Sequence, residues 1–178
     1  MSLTVIGLDL SLTSTGAVVI SPGGEWGRGQ GDPHTESMVI KSKFKGEARL
    51  EHLREQVMAL VGLNQPDLIV IEGYAFGRPN AMAPLAELGG VIKHSLYVAG
   101  WPFIVVPPTR AKKFACGKGN AKKDEVRLGV YKRWGFEAPT NDEVDAYVLA
   151  RIGLAYLGLD DDLIKPQVEV VKDLKKSA

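Results

Sequence analysis

The sequence predicts one α/β domain built on a mixed sheet that has an antiparallel hairpin at one edge, and three observations support this. Two apolar segments, residues 3–10 and 15–20, are separated by four turn residues, as the strands of a hairpin are. After a third predicted strand, buried strands alternate with amphipathic helices, which is typical of parallel strands with helical crossovers. The length of 178 residues suits one hydrophobic core and is too short for two full domains.

The first half of the chain supplies four of the predicted strands. After the hairpin, residues 21–36 contain five glycines and two prolines, which predicts a surface loop. A third strand is expected near residues 37–43. Residues 45–63 place apolar side chains three and four positions apart, as an amphipathic helix does. Residues 67–72 (DLIVIE) are predicted as a buried parallel strand, because four successive positions are apolar.

The second half predicts one more strand among helices. Residues 82–99 are expected to be helical although they include Gly89 and Gly90. The fifth strand is expected at residues 102–106, where a pair of prolines ends it. Further helices are expected at residues 109–115, 121–134 and 141–157, the last of them capped by Asn141.

The composition is that of a globular protein and excludes several classes. Hydrophobic residues make up 45% of the chain and charged residues 24%, which is not the composition of a disordered or fibrous protein. No apolar run approaches the ~20 residues of a membrane span, and no secretion signal is visible, so we expect a cytoplasmic protein. The single cysteine, Cys116, excludes a disulfide framework and a cysteine zinc site. We assign residues 1–158 to the domain and residues 159–178 to a charged, loosely held tail.

Positive charge is concentrated in one segment, although the formal net charge is only +1. Residues 110–133 hold nine basic and two acidic side chains, and the segments on either side are net acidic. Such a cluster either neutralises several phosphates of a nucleic acid or forms a solvated helix face, and charge alone leaves both interpretations open. The cluster includes Lys112, Lys113, Lys118, Lys122, Lys123 and Arg127.

Carboxylates occur at positions where a solvated surface charge is not expected. Asp9 lies inside the first apolar strand, where an unpaired charge costs several kcal/mol. Glu72 ends the buried DLIVIE strand, and open α/β sheets place their ligands at this end. Asp142 and Asp145 are three residues apart at the start of a helix and therefore share one face. The alternatives are a strand-end salt bridge for Glu72 and an ordinary first-turn charge for Asp142.

Convergence of these four carboxylates would require cations between them. Ligands that are all oxygen suit Mg²⁺ or Mn²⁺ rather than zinc. Two such ions roughly 4 Å apart activate a water molecule and stabilise the leaving oxygen in phosphodiester hydrolysis. The carboxylates thus predict a metal-dependent nuclease site.

Four segments resemble, in order, the motif regions of RuvC-type Holliday junction resolvases. They are IGLDLSLTSTGAVVI, DLIVIEGYAF, AKKFACGKGNAKKDEV and NDEVDAYVLARI, and they extend over residues 5–157. The resemblance implies an RNase H-like fold, in which a five-stranded sheet of three antiparallel and then two parallel strands is flanked by helices. It also implies a homodimeric crossover junction endodeoxyribonuclease that cuts four-way DNA junctions with two Mg²⁺ or Mn²⁺ ions per active site.

The resemblance also implies roles for individual residues. The catalytic and metal-binding positions are Asp9, Glu72, Asp142 and Asp145. Lys112 and Lys123 fall on DNA-contacting lysines, and Phe76 or the neighbouring Tyr74 approximates the aromatic residue that probes the junction centre. The other DNA contacts expected from the basic segment are Lys113, Lys118, Lys122 and Arg127.

The hairpin departs from the pattern of the bacterial resolvases. It reads Asp-Leu-Ser where they usually have Asp-Pro-Gly, which favours the phage-encoded branch, whose members often cut forks and flaps as well. The helix at residues 82–99 carries small residues and is our candidate dimer surface, because paired cuts in a two-fold symmetric junction require two active sites. The alternative is that this helix only covers the sheet.

Other functions fit the sequence less well or remain as alternatives. The string DLSLTSTG also resembles the phosphate loop of actin-like and sugar-kinase ATPases, but those proteins need two domains. An exonuclease of the same fold would carry Asp-x-Glu on the first strand, whereas Asp9 is followed by Leu10 and Ser11. An RNA-processing nuclease of the same fold and a non-catalytic nucleic-acid-binding module remain alternatives.

Overall fold

The computed structural model describes residues 3–21, 34–74, 79–160 and 162–177. The side chains of residues 79–82 are not described. The described part of the chain contains five strands and six helices. The strands are β1 Val5–Asp9, β2 Thr15–Ser21, β3 His34–Ile40, β4 Leu68–Glu72 and β5 Phe103–Val106. The helices are α1 Gly46–Asn64, α2 Pro79–Val98, α3 Pro108–Cys116, α4 Lys123–Trp134, α5 Asn141–Leu157 and α6 Lys165–Lys176. None of these described helices is long and apolar enough to cross a membrane.

The strands form one mixed sheet in the order β3-β2-β1-β4-β5. The pairs β1–β2 and β2–β3 are antiparallel, whereas β1–β4 and β4–β5 are parallel. The hairpin turn is closed by Thr15, whose hydroxyl donates to the Ser11 carbonyl oxygen at 2.7 Å and accepts from the Ser11 N–H at 3.0 Å. This arrangement confirms the predicted α/β class and the three antiparallel and two parallel strands of the RNase H-like fold.

Each face of the sheet is covered by its own hydrophobic core. Ile6 and Leu8 of β1 belong to the core under α1 and α2, and Val5 belongs to the core around α5. Because side chains alternate along a strand, Gly7 and Asp9 share the α5 face with Val5. A Cβ on Gly7 would overlap the Ala146 carbonyl oxygen of α5. The glycine therefore lets α5 lie directly on β1, beside Asp9.

Several element boundaries differ from the expected ones. The third strand covers 34–40 rather than 37–43, because all seven of its residues pair with β2, from Ser21–His34 to Thr15–Ile40. The predicted surface loop at 21–36 falls mainly on residues 22–33, which lie outside the described residues. Helix α5 is capped by Thr140 and not by Asn141, since the Thr140 hydroxyl accepts a hydrogen bond from the Glu143 N–H.

The segment after Leu159 is not a loosely held tail throughout, because it contains helix α6. Val170, Val171 and Leu174 are buried in the core around α5, and α6 contacts both α3 and α5. The side-chain amide of the buried Gln167 donates to the Phe114 carbonyl oxygen at 3.2 Å. The expectation of a loose tail was wrong for this helix. Its many charged residues suggested a solvated segment, but its apolar residues lie on one face and pack against the core.

Candidate active site

Two parallel strands bring Asp9 and Glu72 together. Leu8 of β1 pairs with Ile71 of β4, and each carboxylate is the next residue along its strand. Both side chains are largely buried, and their carboxyl groups are close enough for each to act on the pKa of the other. The predicted pair therefore lies at one edge of the sheet, on the face covered by α5.

The first turn of α5 adds Asp142 and Asp145 to this pair. Asp9 pairs with Gly16 of β2, and a Cβ on Gly16 would overlap the main-chain carbonyl group of Asp142. The helix thus begins directly over the Asp9–Gly16 pair. Asp9 is close enough to Glu72, Asp145 and Asp142 for each of their charges to act on it. The structure accordingly brings the four predicted carboxylates together.

The acidity of these groups reflects a buried cluster of like charges. Burial, followed by the charges of Glu72 and Asp145, raises the pKa of Asp9 well above its usual value. Burial and the charge of Asp145 raise the pKa of Glu72, and burial is also the main cause of the raised pKa of Asp145. Crowded carboxyl groups with raised pKa values bind a proton or a cation more readily than isolated ones.

The donor set fits a hard divalent cation. It consists of carboxylate oxygens, the ligands that Mg²⁺ and Mn²⁺ prefer. Within the described residues, no group of three or more His, Cys, Asp or Glu side chains is already arranged to hold a metal ion. The side chains that would supply these oxygens are Asp9, Glu72, Asp142 and Asp145.

Hydroxyl groups from the hairpin turn, from β3 and from the N-cap residue hold the first turn of α5. The Ser14 hydroxyl donates to Oδ2 of Asp142 at 2.5 Å. The buried Glu143 carboxylate accepts from the Ser37 hydroxyl at 2.9 Å and from the Thr140 hydroxyl at 2.7 Å. Sequence reasoning missed these residues. The Thr-x-x-Glu spacing of Thr140 and Glu143 is a capping-box signal that could have found two of them.

Two of the predicted DNA-contacting lysines lie beside the carboxylates. The charges of Lys112 in α3 and Lys123 in α4 lower the pKa of Glu72 and of Asp145, against the stronger effect of burial. Their ammonium groups therefore lie within electrostatic range of the acidic cluster. A phosphate held at this cluster would lie within their field.

The other predicted basic contacts are placed differently. Lys113 pairs with Glu169 of α6 at 2.7 Å, and Arg127 donates to the Ala138 carbonyl oxygen. Lys118 pairs with Glu125 at 3.4 Å, and Lys122 is the exposed N-cap of α4. The structure thus separates the basic segment into lysines beside the site, side chains engaged within the fold, and the exposed Lys122.

The two candidate aromatic residues follow Glu72. The Tyr74 hydroxyl donates to the Ala86 carbonyl oxygen of α2 at 3.3 Å and occupies the space where a Cβ on Gly89 would lie. The Lys93 ammonium group lies 5.2 Å from the centre of the Tyr74 ring. Tyr74 is therefore packed against α2, and Phe76 lies outside the described residues.

The chain is similar to known proteins over most of its length. A family model described as Crossover junction endodeoxyribonuclease RuvC matches residues 5–151. Crossover junction endodeoxyribonuclease RuvC of Synechococcus sp. strain CC9311 is 26% identical over 155 residues, which cover 84% of this chain and 96% of the relative. The enzyme of the same name from Chlamydia trachomatis serovar A is 30% identical over 142 residues, covering 76% of this chain and 83% of the relative.

A solved structure extends this similarity to the fold. Thermus thermophilus RuvC in complex with Holliday junction substrate superposes with a TM-score of 0.68 at 23% identity. The superposition covers 83% of this chain and 90% of that chain. The sheet and helices described above are therefore arranged as in that protein.

Proposed function

The chain belongs to the RuvC family of crossover junction endodeoxyribonucleases, and from this premise we propose that Asp9, Glu72, Asp142 and Asp145 form its metal-dependent active site. The protein is a structure-selective endonuclease that acts on Holliday junctions. The observation that carries the proposed site is the convergence of four carboxylates from two strands and one helix around the largely buried Asp9. The raised pKa values in this cluster support a role in binding cations.

As a nuclease of this family the protein is metal-dependent, and we propose two Mg²⁺ or Mn²⁺ ions per site. When bound, such ions activate a water molecule and stabilise the leaving oxygen, which yields a 5′-phosphate and a 3′-hydroxyl. Asp9 and Glu72 would hold them from the sheet, and Asp142 and Asp145 from α5. Lys112 and Lys123 would bind the flanking DNA phosphates and orient the scissile strand.

The two alternatives left open by the sequence receive less support. An RNA-processing nuclease of the same fold would be a different family from the one that matches residues 5–151. A binding module with structural carboxylates would pair its buried acids with basic partners. Asp9 instead lies within range of the charges of three other carboxylates, which raise its pKa.

We also propose that the protein works as a homodimer through α2. A four-way junction has approximate two-fold symmetry, and a C2 dimer places one site on each of two strands. Leu88, Ile92 and Leu96 of α2 are fully buried against the sheet, whereas Tyr97 is 78% exposed on the other side of the helix. Helix α2 thus covers the sheet with one face and still offers a second face. Sedimentation analysis should give a dimer, and a monomer at the concentrations used for cleavage would contradict this part of the proposal.

A panel of labelled substrates tests the proposed function. The protein is incubated with a four-way junction, a flap, a fork, a linear duplex and an RNA–DNA hybrid, with EDTA, Mg²⁺ or Mn²⁺. We expect metal-dependent cuts in the junction, with 5′-phosphate ends, and weaker cutting of the flap and fork. The D9N variant should bind the junction and leave it intact. Cleavage by D9N, or preferential cleavage of the hybrid, would overturn the proposal.

A further inference from the structure

The hairpin turn between β1 and β2 contacts Asp142, one of the proposed metal ligands, through a side chain that is not itself a carboxylate. We propose that Ser14 is a positioning residue that orients Asp142 for the divalent cation, an inference that rests on the proposed metal-dependent function. The Ser14 hydroxyl donates to Oδ2 of Asp142 at 2.5 Å, across 128 positions of sequence. Ser14 is only partly exposed, so this hydrogen bond is sheltered from competing water.

The turn that presents Ser14 is itself fixed. The next residue, Thr15, is 1% exposed. Its hydroxyl makes both hydrogen bonds to the main chain of Ser11 that close the turn. On the other side of the contact, Gly16 abuts the main chain of Asp142. Ser14 and Asp142 are therefore held at a set separation by the backbones that carry them.

This contact determines which carboxylate oxygen remains available. A short hydrogen bond to a charged oxygen is among the strongest in proteins, and here it engages Oδ2 and restrains rotation of the carboxylate. Oδ1 would then be the oxygen that Asp142 presents to a cation. Partners that orient a ligand in this way typically change metal affinity by about 10- to 100-fold when they are removed.

The turn also supplies a matched control. The Thr13 hydroxyl lies 3.4 Å from the Ser11 hydroxyl, and Thr13 is exposed. The T13A variant thus removes a hydroxyl group from the same turn without changing the contact to Asp142. The S14T variant retains the hydroxyl and adds only a methyl group.

Calorimetric titration with Mn²⁺ alone tests the proposal without relying on activity. We expect S14A to weaken Mn²⁺ binding by about tenfold, with S14T and T13A close to the unmodified chain and with S14A still folded by circular dichroism. In a D142N background, S14A should cause no further loss. In cleavage assays S14A should need about tenfold more Mn²⁺ for half-maximal rate and reach a near-normal kcat at saturation.

The possible failures are distinguishable. If the unmodified chain shows no saturable Mn²⁺ binding, the proposed metal-dependent function falls, and the role of Ser14 with it. If the unmodified chain and S14A bind Mn²⁺ equally well, only the positioning role falls. Loss of binding in S14T to the level of S14A would show that the shape of the turn matters rather than the hydroxyl, and would also overturn the role of Ser14.

Discussion

Gly16 of β2 and Asp142 of α5 are in direct backbone contact, and a Cβ on Gly16 would overlap the carbonyl group of Asp142. We therefore expect G16A to lower the free energy of unfolding by about 3 kcal/mol or more, because a helix carbonyl cannot move aside as a flexible side chain can. Urea unfolding followed by circular dichroism measures this change. Mn²⁺ binding by the folded fraction should weaken as well, since the first turn of α5 must shift.

Gly62 provides the control for G16A. It lies in helix α1, and no described atom would come within 4 Å of a Cβ placed there, apart from those of its chain neighbours and its own helix backbone. G62A should therefore stabilise the protein by about 0.5–1 kcal/mol, through helix propensity alone. Equal stability of G16A and G62A would show that α5 does not press on β2 as described.

The raised pKa of Asp9 predicts a specific dependence of stability on pH. Below about pH 4 the carboxyl group is protonated in both the folded and the unfolded state and has no net effect. Above that pH the unfolded chain releases the proton while the folded chain retains it, so the free energy of unfolding falls until the raised pKa is passed. Without metal, D9N should flatten this fall and raise stability at neutral pH by about 1–2 kcal/mol, a gain typical of substitutions that sacrifice function.

Thermal unfolding of D9N and the unmodified chain over a pH series, in EDTA and in Mn²⁺, measures this effect. Mn²⁺ should stabilise the unmodified chain by binding its folded state, and should stabilise D9N much less. Parallel pH curves for the two proteins in EDTA would contradict the raised pKa of Asp9.

The sequence predicted the sheet because burial leaves a strong pattern in strands. The DLIVIE segment and the opening hairpin were recognisable from their apolar runs, and the structure has strands at both places. Helix α6 was missed although Gln167, Val170, Val171 and Leu174 recur at i, i+3, i+4 and i+7, a helical pattern. The segment also contains many charged residues, and these led to the prediction of a loosely held tail instead of a helix.

The site was predictable in part for the same reason. Asp9 attracted attention because a charge inside an apolar strand requires a partner. The contacts Ser14–Asp142 and Ser37–Glu143 join residues 128 and 106 positions apart, so they depend on how α5 docks on the sheet and have no local signal. Lys112 lies near the carboxylates and Lys113 pairs with Glu169. Which lysine takes which position depends likewise on how α3 is rotated about its axis, and the burial of Phe114 in the core fixes that rotation.

Helix α6 is predicted to be part of the stable domain. Val170 is 1% exposed in the core around α5, so V170A should lower the free energy of unfolding by about 2 kcal/mol through lost burial and a small cavity. Lys172, exposed on the same helix, is the control, and K172A should stay within about 0.5 kcal/mol of the unmodified chain. Chemical denaturation of the two variants measures these changes in the free energy of unfolding. If both keep the stability of the unmodified chain, α6 is not docked as described.

Neighbouring lysines of α3 should differ in their contribution to DNA binding. Lys112 acts on the pKa values of Glu72 and Asp145, whereas Lys113 is paired with Glu169 at 2.7 Å. In a D9N background, in which we expect no cleavage, K112A should weaken junction binding and reduce the slope of log affinity against log salt by about 0.9, the value for one lost phosphate contact. K113A should leave the slope unchanged, because the ammonium group of Lys113 is already neutralised by Glu169.

Fluorescence anisotropy with a labelled four-way junction over a series of salt concentrations measures both slopes. A reduced slope for K113A and an unchanged one for K112A would reverse the assignment, and would place the DNA backbone along the α6 side of α3 instead of over the carboxylates.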